Sequence, residues 1–595
     1  MQFFIRIIKI LLSGIFLCGS ILFAENSILY GFSEPINATN GFRQTLPNEL
    51  ALCRDVKKLE KMDFFSQLNA PQETKQFYID YCKHADTFAW SDSSLRLNNQ
   101  AIDLIQSIED SYNEGLNPNK YHLNSFIAHI KLMDSDANQS SKTDSLNRID
   151  VLLSDAYITL AKDLYYGITD WKKFKESKKE QKKKLAKNQE IVANEKEDII
   201  EWERARKISV YPSKYLALNL AENKISDSLH RLSPDAQEYQ RLIASLKYYR
   251  TLYANGGWDK IPSGPTIRIE ESDERIPLIK KRLYLSGELH EMDNKETFLY
   301  SEPQLIAAVK SFQALHNLTQ DGLIGAQTIN ALNISVTSKI GKIILNLERF
   351  RWLERGMDAY QSYININIPS FQMQVFEYGK EVMTMKVIVG KKERPTPVLS
   401  SKISYVVLKP SWTAPKTIVK EDILEKANMQ EYLQSHKMRV YLNFEGEMFE
   451  VKADEIDWSI YAEDEHIPYI FKADSGEANP LGEMKFIFNN RFSVYMHDTN
   501  QRYLFKNQYR ALSSGCLRLN EPMKLLTYLM ETKDAIITDE KEGSDHIVDV
   551  KKKVPVVIRY MTVSVDGESR IFFYDDIYGY DELQLNSIKE NSWML

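Results

Sequence analysis

The sequence predicts a multidomain α+β protein with an N-terminal all-α region, a small three-helix bundle and a C-terminal β-rich, β-sandwich-like domain that carries a capping insertion. Apolar residues recur at helical spacing as far as about residue 335, and from about residue 360 they alternate with a period of two. A chain of 595 residues is also expected to form several domains. The 43% of hydrophobic residues provide enough apolar side chains for several cores.

The N-terminus has the pattern of an export signal over residues 1–24. Arg6 and Lys9 precede an apolar run over residues 10–23, and the small residue Ala24 follows at a plausible cleavage site. The same run is nearly long enough to span a bilayer, so an uncleaved anchor is the alternative. No later stretch has that length and hydrophobicity, so we expect an exported protein whose only membrane contact is this segment.

Export decides how the cysteines of the chain are interpreted. Beyond the signal the chain holds Cys53, Cys82 and Cys516. In an oxidising compartment this number indicates one disulfide and one remaining thiol. Cys53 and Cys82 are close in sequence, within helical patterns, and form the expected disulfide. Cys516 is then the odd thiol, which is either a buried structural residue or a residue with a chemical use.

A predicted helical region over residues 45–262 contains a lysine-rich segment, residues 172–187, with nine Lys and two Glu. One interpretation is a basic patch for an anionic polymer or a membrane surface. The interpretation we favour is a solvated helix or mobile excursion, as most charge runs are. With one aromatic residue in the segment and a net charge of −6 overall, nothing indicates nucleic-acid binding.

A Gly/Pro-rich break at residues 254–265 separates this region from a compact helical unit over residues 274–335. The β-rich domain is expected over residues 340–580, and Asp566-Gly567 predicts a late hairpin turn. It is interrupted by residues 415–478, a mixed segment too long for a simple hairpin loop. Segments of that kind are often lids or caps over a site.

Cys516 lies in the stretch "SSGCLRL", directly after a turn, and His497 ends the strand-like stretch "RFSVYMHD". Strand alternation places Tyr495 and His497 on one face. A Cys–His pair is the minimum for thiol catalysis, because the imidazole takes the thiol proton and the thiolate attacks a carbonyl. Backbone N–H groups of the turn at Ser514-Gly515-Cys516 can stabilise the resulting oxyanion. Arg518 stays charged, so it binds a carboxylate or braces the loop instead of acting as base.

A metal site is the rival interpretation of this pair. One His and one Cys are too few ligands, and no Cys-x-x-Cys or His-Glu-x-x-His pattern lies nearby. We therefore expect neither a metal nor an organic cofactor.

Two stretches resemble known families. "AAVKSFQALHNLTQDGLIGAQTINAL", with its Phe-Gln, Asp-Gly and Gly-x-x-Thr landmarks, resembles the peptidoglycan-binding domain of bacterial wall enzymes. "YMHDTNQRYLFKNQYRALSSGCLRL" resembles the active-site signature of the YkuD-type L,D-transpeptidases. The resemblance implies that His497 is the general base and Cys516 the nucleophile, and that Ser513, Gly515 and Arg518 are the other motif positions. Ser514 replaces the second His of the common pattern, as in the large periplasmic branch with a helical scaffold domain and an inserted peptidoglycan-binding domain.

The resemblance implies a periplasmic enzyme of cell-wall biogenesis and cell shape that acts on peptidoglycan stem peptides and glycan, with other wall synthases as candidate partners. It would form 3→3 cross-links through a thioester on Cys516, releasing D-alanine from a tetrapeptide donor. The segment 415–478 would gate donor entry, with Trp412 and Tyr495 as candidate groove residues. The open alternatives are an L,D-carboxypeptidase, a transferase that attaches a lipoprotein to the wall, and a non-catalytic wall-binding scaffold protein.

Overall fold

A computed structural model describes Cys53 and residues 56–588, except residues 86, 93, 95, 135–138, 189–201, 203, 205–210, 293–296, 354–355, 357–359, 425–427, 462–466 and 532–544. The expected export signal, residues 1–24, lies outside the described residues. Among the helices of the described part, none combines the length and the hydrophobicity that crossing a bilayer requires.

The N-terminal region consists of helices and short 3₁₀ turns. In the described part of this region the α-helices are α1 (Pro71–Tyr81), α2 (Asn99–Asp110), α3 (Leu123–Asp134), α4 (Gln139–Tyr166), α5 (Trp171–Asn188), α6 (Pro212–Ala221), α7 (Ile225–His230) and α8 (Gln237–Ala254). The long helix α4 lies at the centre, because Leu153, Ala156 and Leu160 are almost completely buried. Cys53 and Cys82 form a disulfide with a sequence separation of 29 residues, and both pack against this core.

The small bundle has three helices, α9 (Ile276–Ser286), α10 (Pro303–Leu315) and α11 (Ala326–Leu332), around one apolar core. Its sequence landmarks have a structural reason. The side-chain amide of Gln313 donates to Asp321 Oδ1 at 3.0 Å and to Thr328 Oγ1 at 3.3 Å, and its oxygen accepts from the Gly322 N–H at 2.9 Å. The Phe-Gln, Asp-Gly and Gly-x-x-Thr positions therefore hold one turn in place.

Helix α12 (Val336–Phe350) follows the bundle and joins the domains. Ser335 caps it by accepting from the Ser338 N–H at 3.1 Å. Its buried Glu348 accepts hydrogen bonds from the Ile168 N–H at 2.8 Å and the Thr169 N–H at 3.0 Å, both in the connection after α4. The helix thus lies against the N-terminal region as well as against the β-rich domain.

The C-terminal domain is a ten-stranded mixed sheet around an apolar core. Its strands are β1 (Ser362–Asn367), β2 (Gln372–Glu377), β3 (Lys380–Gly390), β4 (Leu399–Leu408), β9 (Met484–Phe488), β10 (Met496–His497), β11 (Ala511–Ser513), β12 (Leu517–Leu519), β13 (His546–Asp549) and β14 (Pro555–Arg559). The order is β11-β3-β12-β10-β9-β4-β14-β1-β2, and β13 pairs with β4. Because β2 also pairs with β3, the path closes on itself. This closed, two-sided arrangement agrees with the β-sandwich-like domain expected from the sequence.

Four further strands form a separate sheet between β4 and β9. They are β5 (Trp412–Thr413), β6 (Met438–Phe444), β7 (Glu447–Val451) and β8 (Tyr469–Ala473), in the order β5-β8-β6-β7. Since β4 and β9 pair directly with each other, this sheet is an insertion in a hairpin connection. Helical segments at Lys416–Ile418, Val419–Ile423 and Met429–Ser435 complete the unit, which we call the cap.

The remaining elements frame the C-terminal domain. Helix α13 (Pro522–Met530) packs on the sheet, strands β15 (Val563–Val565) and β16 (Ile571–Phe573) form the late hairpin, and helix α14 (Tyr580–Leu585) follows. The lysine-rich segment lies within α5, so it is a helix, as the favoured interpretation proposed. The helix is not solvated on all sides, because one of its faces is buried. Phe174 is fully buried and belongs to the core of the C-terminal domain together with Trp202 and Trp352.

Candidate active site

The candidate site is built where two short strands end side by side. Strands β10 and β12 pair in parallel, with Met496 opposite Leu517 and His497 opposite Arg518. Met496 and Leu517 are fully buried in the core of the domain. Since side chains alternate between the faces of a sheet, His497 and Arg518 face the opposite side.

Cys516 directly precedes β12 and continues this register. The Leu517 N–H donates to the Tyr495 carbonyl at 3.1 Å, which places Cys516 beside Tyr495. The side chains of Tyr495, His497, Cys516 and Arg518 therefore share one face, away from the core. The rings of Tyr495 and His497 are 5.7 Å apart between centroids.

The thiol of Cys516 is neutral in this environment. Burial raises the pKa of Cys516 to about 11, against the opposing effect of hydrogen bonds from the Tyr495 backbone and hydroxyl and of the Arg518 charge. Tyr495 also packs against the apolar core of the cap. One tyrosine thus connects the thiol with the cap above it.

The imidazole of His497 is oriented and kept neutral. Its Nδ1–H donates to the carbonyl oxygen of Asp498, so Nε2 carries the lone pair that can accept a proton. Burial, with the Arg518 charge as the second cause, lowers the pKa of His497 to about 3. The Asp498 carboxylate is itself fixed, since it accepts from Arg502 Nη2 at 2.6 Å and from the Glu483 N–H at 3.0 Å. A neutral imidazole is the protonation state that a general base needs before it can accept a proton.

The turn before Cys516 is held by Ser513. The Ser513 hydroxyl donates to the Cys516 carbonyl at 2.6 Å and accepts from the Gly515 N–H at 3.2 Å. Gly515 has a φ of +111°, a conformation that favours glycine. Its N–H is therefore used within the turn, whereas the Cys516 N–H has no acceptor in the described part of the chain. Of the turn's N–H groups expected to stabilise an oxyanion, that of Cys516 is free to do so.

A tight loop between β3 and β4 holds the turn before Cys516 in place by hydrogen bonds. Thr396 Oγ1 donates to the Gly515 carbonyl at 2.8 Å and accepts from the Gly390 N–H at 2.8 Å. The Tyr578 hydroxyl anchors the loop, because it donates to the Gly390 carbonyl at 2.7 Å and accepts from the Thr396 N–H at 3.1 Å. The Lys391 N–H donates to the Ser513 carbonyl at 2.8 Å.

Of the other site residues predicted from the sequence, Arg518 and Ser514 lie near Cys516, whereas Trp412 lies in the cap. Arg518 Nη1 donates to Gln501 Oε1 at 2.8 Å, so this arginine braces the segment between β10 and β11. Ser514 is exposed, and its hydroxyl accepts from Arg394 Nη1 at 2.9 Å. Trp412, a candidate groove residue, is 7% exposed and belongs to the apolar core of the cap, because β5 pairs with β8 there. Within the described residues, no group of three or more His, Cys, Asp or Glu side chains is arranged to hold a metal ion.

Sequence reasoning assigned no role to Arg394, Thr396 or Gln501. The first two lie in the stretch "VIVGKKERPTPVLSS", which resembles the same transpeptidase branch but gives no role to its individual residues. Their contacts with the turn span more than a hundred residues of sequence, so no local spacing could have revealed them.

The fold and this site define a class of protein, a β-rich domain that carries a thiol and an imidazole on the same face of its sheet, next to a cap. Comparison with known families makes the class specific. Residues 361–558 match the L,D-transpeptidase catalytic domain of the YkuD family, residues 72–246 match the scaffold domain, and residues 272–332 match a "Putative peptidoglycan binding domain". The chain therefore contains a YkuD-type L,D-transpeptidase catalytic domain together with a scaffold domain and a peptidoglycan-binding domain.

Individual relatives carry the same name. A Haemophilus influenzae protein described as a "Putative L,D-transpeptidase" is 32% identical over 302 residues, which cover 49% of this chain. The chain spans 59% of the length of that relative. Among solved structures, an L,D-transpeptidase from Mycobacterium smegmatis aligns with 33% of this chain and 58% of its own, at 12% identity and a TM-score of 0.18. An L,D-transpeptidase from Xylanimonas cellulosilytica aligns with 50% of this chain and 99% of its own, at 13% identity and a TM-score of 0.18.

Proposed function

We propose that this protein is a periplasmic peptidoglycan L,D-transpeptidase that forms 3→3 cross-links with Cys516 as the nucleophile. The observation that carries the proposal is the shared face of Cys516 and His497, with His497 Nδ1 committed to the Asp498 carbonyl. That commitment leaves Nε2 as the nitrogen that can accept a proton. The matches to a transpeptidase catalytic domain and a peptidoglycan-binding domain support the substrate class, the stem peptides of peptidoglycan.

In the proposed reaction, His497 takes the thiol proton as the sulfur attacks the carbonyl of the third residue of a tetrapeptide donor stem. The bond to the terminal D-alanine breaks, the amine leaves with the proton from His497, and a thioester remains on Cys516. The Cys516 N–H stabilises the oxyanion of each tetrahedral intermediate, a contribution typically worth about 3 kcal/mol. A side-chain amine of a second stem then attacks the thioester and regenerates the thiol.

The resting protonation states indicate when the thiolate forms. With a thiol pKa near 11 and an imidazole pKa near 3, an ion pair is not the resting state. Proton transfer therefore accompanies attack on a bound donor instead of preceding it. The cap, which contacts Tyr495 beside the thiol, is placed to gate the entry of that donor.

The test is incubation of the purified protein with disaccharide-tetrapeptide, followed by mass spectrometry. A dimer lacking one D-alanine indicates cross-linking, and a monomer lacking one indicates carboxypeptidase activity. Transfer to a lipoprotein amine would require that acceptor to be added. Cys516→Ala should abolish every product, and His497→Gln should lower the rate by about 10²–10⁴-fold. Equal product from wild type and Cys516→Ala would refute the proposal, and no product from the wild type with any acceptor would favour a non-catalytic wall-binding scaffold protein.

A further inference from the structure

A single arginine joins the cap to the turn that carries the candidate nucleophile. Arg394 Nη1 donates to Ser514 Oγ at 2.9 Å and to Asp422 Oδ2 at 2.5 Å, and Nε donates to Glu421 Oε2 at 2.9 Å. Ser514 is two residues before Cys516, whereas Glu421 and Asp422 lie in the helical segment Val419–Ile423 of the cap. Within the described residues, both salt bridges between the cap and the domain beneath it involve this side chain.

The backbone that carries this arginine has little freedom to move. It lies in the loop that Thr396 and Tyr578 fix to the turn, as described above. A Cβ added at Gly390 would lie 2.2 Å from the Arg394 carbonyl oxygen, which shows how tightly the loop closes. The Arg394 and Pro395 carbonyls also lie 3.8 Å from the position of a Cβ at Gly515. The guanidinium is therefore presented from a rigid base beside the turn.

The partners of the guanidinium lie in a part of the cap that solvent reaches. The side chain of Arg394 is 13% exposed, whereas those of Glu421 and Asp422 are 26% and 36% exposed. Val419 and Ile423 anchor the same segment in the core of the cap. A movement of the cap therefore changes the contacts of the guanidinium, and the guanidinium holds Ser514.

We propose that Arg394 is a positioning residue that couples the position of the cap to the geometry of the turn at Ser514-Gly515-Cys516. It fixes the turn when the cap is closed, so that the sulfur and the Cys516 N–H keep their positions relative to the oxyanion. The inference deepens the proposed function, because it concerns the same site. The charge that acts on the thiol is that of Arg518, so Arg394 acts through geometry.

Arg394→Ala tests the proposal by two readouts that should move in opposite directions. A loosened turn misplaces the sulfur, and misplacement by about 1 Å costs about 100-fold in rate, so we expect kcat for D-alanine release to fall about 10- to 100-fold with little change in KM. The same loosening admits water to the thiol and lowers its pKa towards the ordinary value of about 8.5. Alkylation of Cys516 by iodoacetamide at about pH 8, measured on the Cys516 peptide by mass spectrometry, should then become about 10-fold faster.

Arg439→Ala is the matched control, because Arg439 also pairs with two carboxylates, Glu450 and Asp474, on the cap sheet without contacting the turn. It should leave both readouts at the wild-type value. Arg394→Lys should be intermediate, since one ammonium cannot bridge three partners as a guanidinium does. The double variant Arg394→Ala/Ser514→Ala should be no worse than Arg394→Ala.

Three results would overturn the proposal: unchanged kcat and alkylation in Arg394→Ala, slower alkylation together with slower turnover, or equal effects in Arg439→Ala. If Arg394→Ala does not fold, Asp422→Asn and Glu421→Gln remove the cap side of the same contacts. These two variants should then also show a lower kcat and faster alkylation of Cys516. Alkylation needs no peptidoglycan substrate, so a wild type without transpeptidase activity would refute the proposed function while the alkylation profile still decides the role of Arg394.

Discussion

Gly515→Ala separates the geometry of the catalytic turn from its chemistry, because it leaves every reactive group in place. The nearest atoms to an added Cβ, the Arg394 and Pro395 carbonyl oxygens, are 3.8 Å away, so the methyl group meets no steric obstacle. The cost comes from the backbone, since a φ of +111° strains any residue with a Cβ by about 1–3 kcal/mol.

The turn has two ways to accommodate that strain, and both are measurable. If the turn keeps its shape, the full 1–3 kcal/mol is lost from the stability of the domain. If it rotates instead, the Gly515 N–H leaves Ser513 Oγ and the Cys516 N–H turns with it, and a displacement of about 1 Å then costs about 100-fold in kcat. We expect mostly the second result, because the hydrogen bond that rotation breaks, from the Gly515 N–H to Ser513 Oγ, is a long one of 3.2 Å.

The assay is D-alanine release from disaccharide-tetrapeptide together with the melting temperature of each variant. Gly379→Ala is the matched control, since Gly379 has a φ of +74° in the β2–β3 turn and nothing within 4 Å of its added Cβ. It should lose a similar stability, about 1 kcal/mol, with wild-type kcat. Wild-type kcat in Gly515→Ala would show that the turn geometry does not govern the reaction.

Three further predictions concern stability. Replacing Cys53 and Cys82 by Ser should destabilise the helical region by about 2–4 kcal/mol, seen as a lower melting temperature that no longer responds to reductant. Burial raises the pKa of Asp150 to about 7, so the folded state favours the protonated carboxyl and stability falls as pH rises from about 4 to about 7. Asp150→Asn should therefore gain stability relative to wild type across that window in melting curves, and a constant difference would contradict this. Burial and the neighbouring Lys339 charge lower the pKa of His316 well below its usual range, so its contribution is lost as pH falls below about 6.5. Hydrogen exchange should report loosening of the contact between α10 and α12 on acidification, and His316→Gln should flatten that response.

Much of the β-rich domain could be predicted because its strands follow the period-two pattern closely. The stretches "SYININI", "MTMKVIVG" and "KISYVVL" correspond to β1, β3 and β4. The stretch "FSVYMHD" does so only at its end, since β10 comprises two residues and Ser493 has a φ of +55° in the preceding turn. The prediction that Tyr495 and His497 share one face depended only on the last residues of this stretch.

In the helical region, the sequence could not predict which side chains are buried by distant parts of the chain. The lysines of α5 predicted a solvated helix, and most of them are exposed. Phe174 is nevertheless fully buried, with its ring 5.6 Å from that of Trp202 and 5.9 Å from that of Trp352. These partners are 28 and 178 residues away in sequence. A pattern within one helix shows which face is apolar, but the surface that covers this face is set by the rest of the chain.

The same long-range contacts connect the three-helix bundle with the domain that carries Cys516. Helix α12 follows the bundle directly, and three of its residues bind different parts of the molecule. Glu348 binds the connection after α4, Asn346 Nδ2 donates to Thr562 Oγ1 at 3.0 Å, and Arg349 pairs with Asp581 at 2.7 Å. A buried charge is strongly held only when it is paired, so removing the Asp581 carboxylate leaves the buried Arg349 charge unpaired and costs about 3–5 kcal/mol. Helix α12 therefore connects the bundle to the sheet through contacts at several points, and losing one of these contacts should loosen that connection.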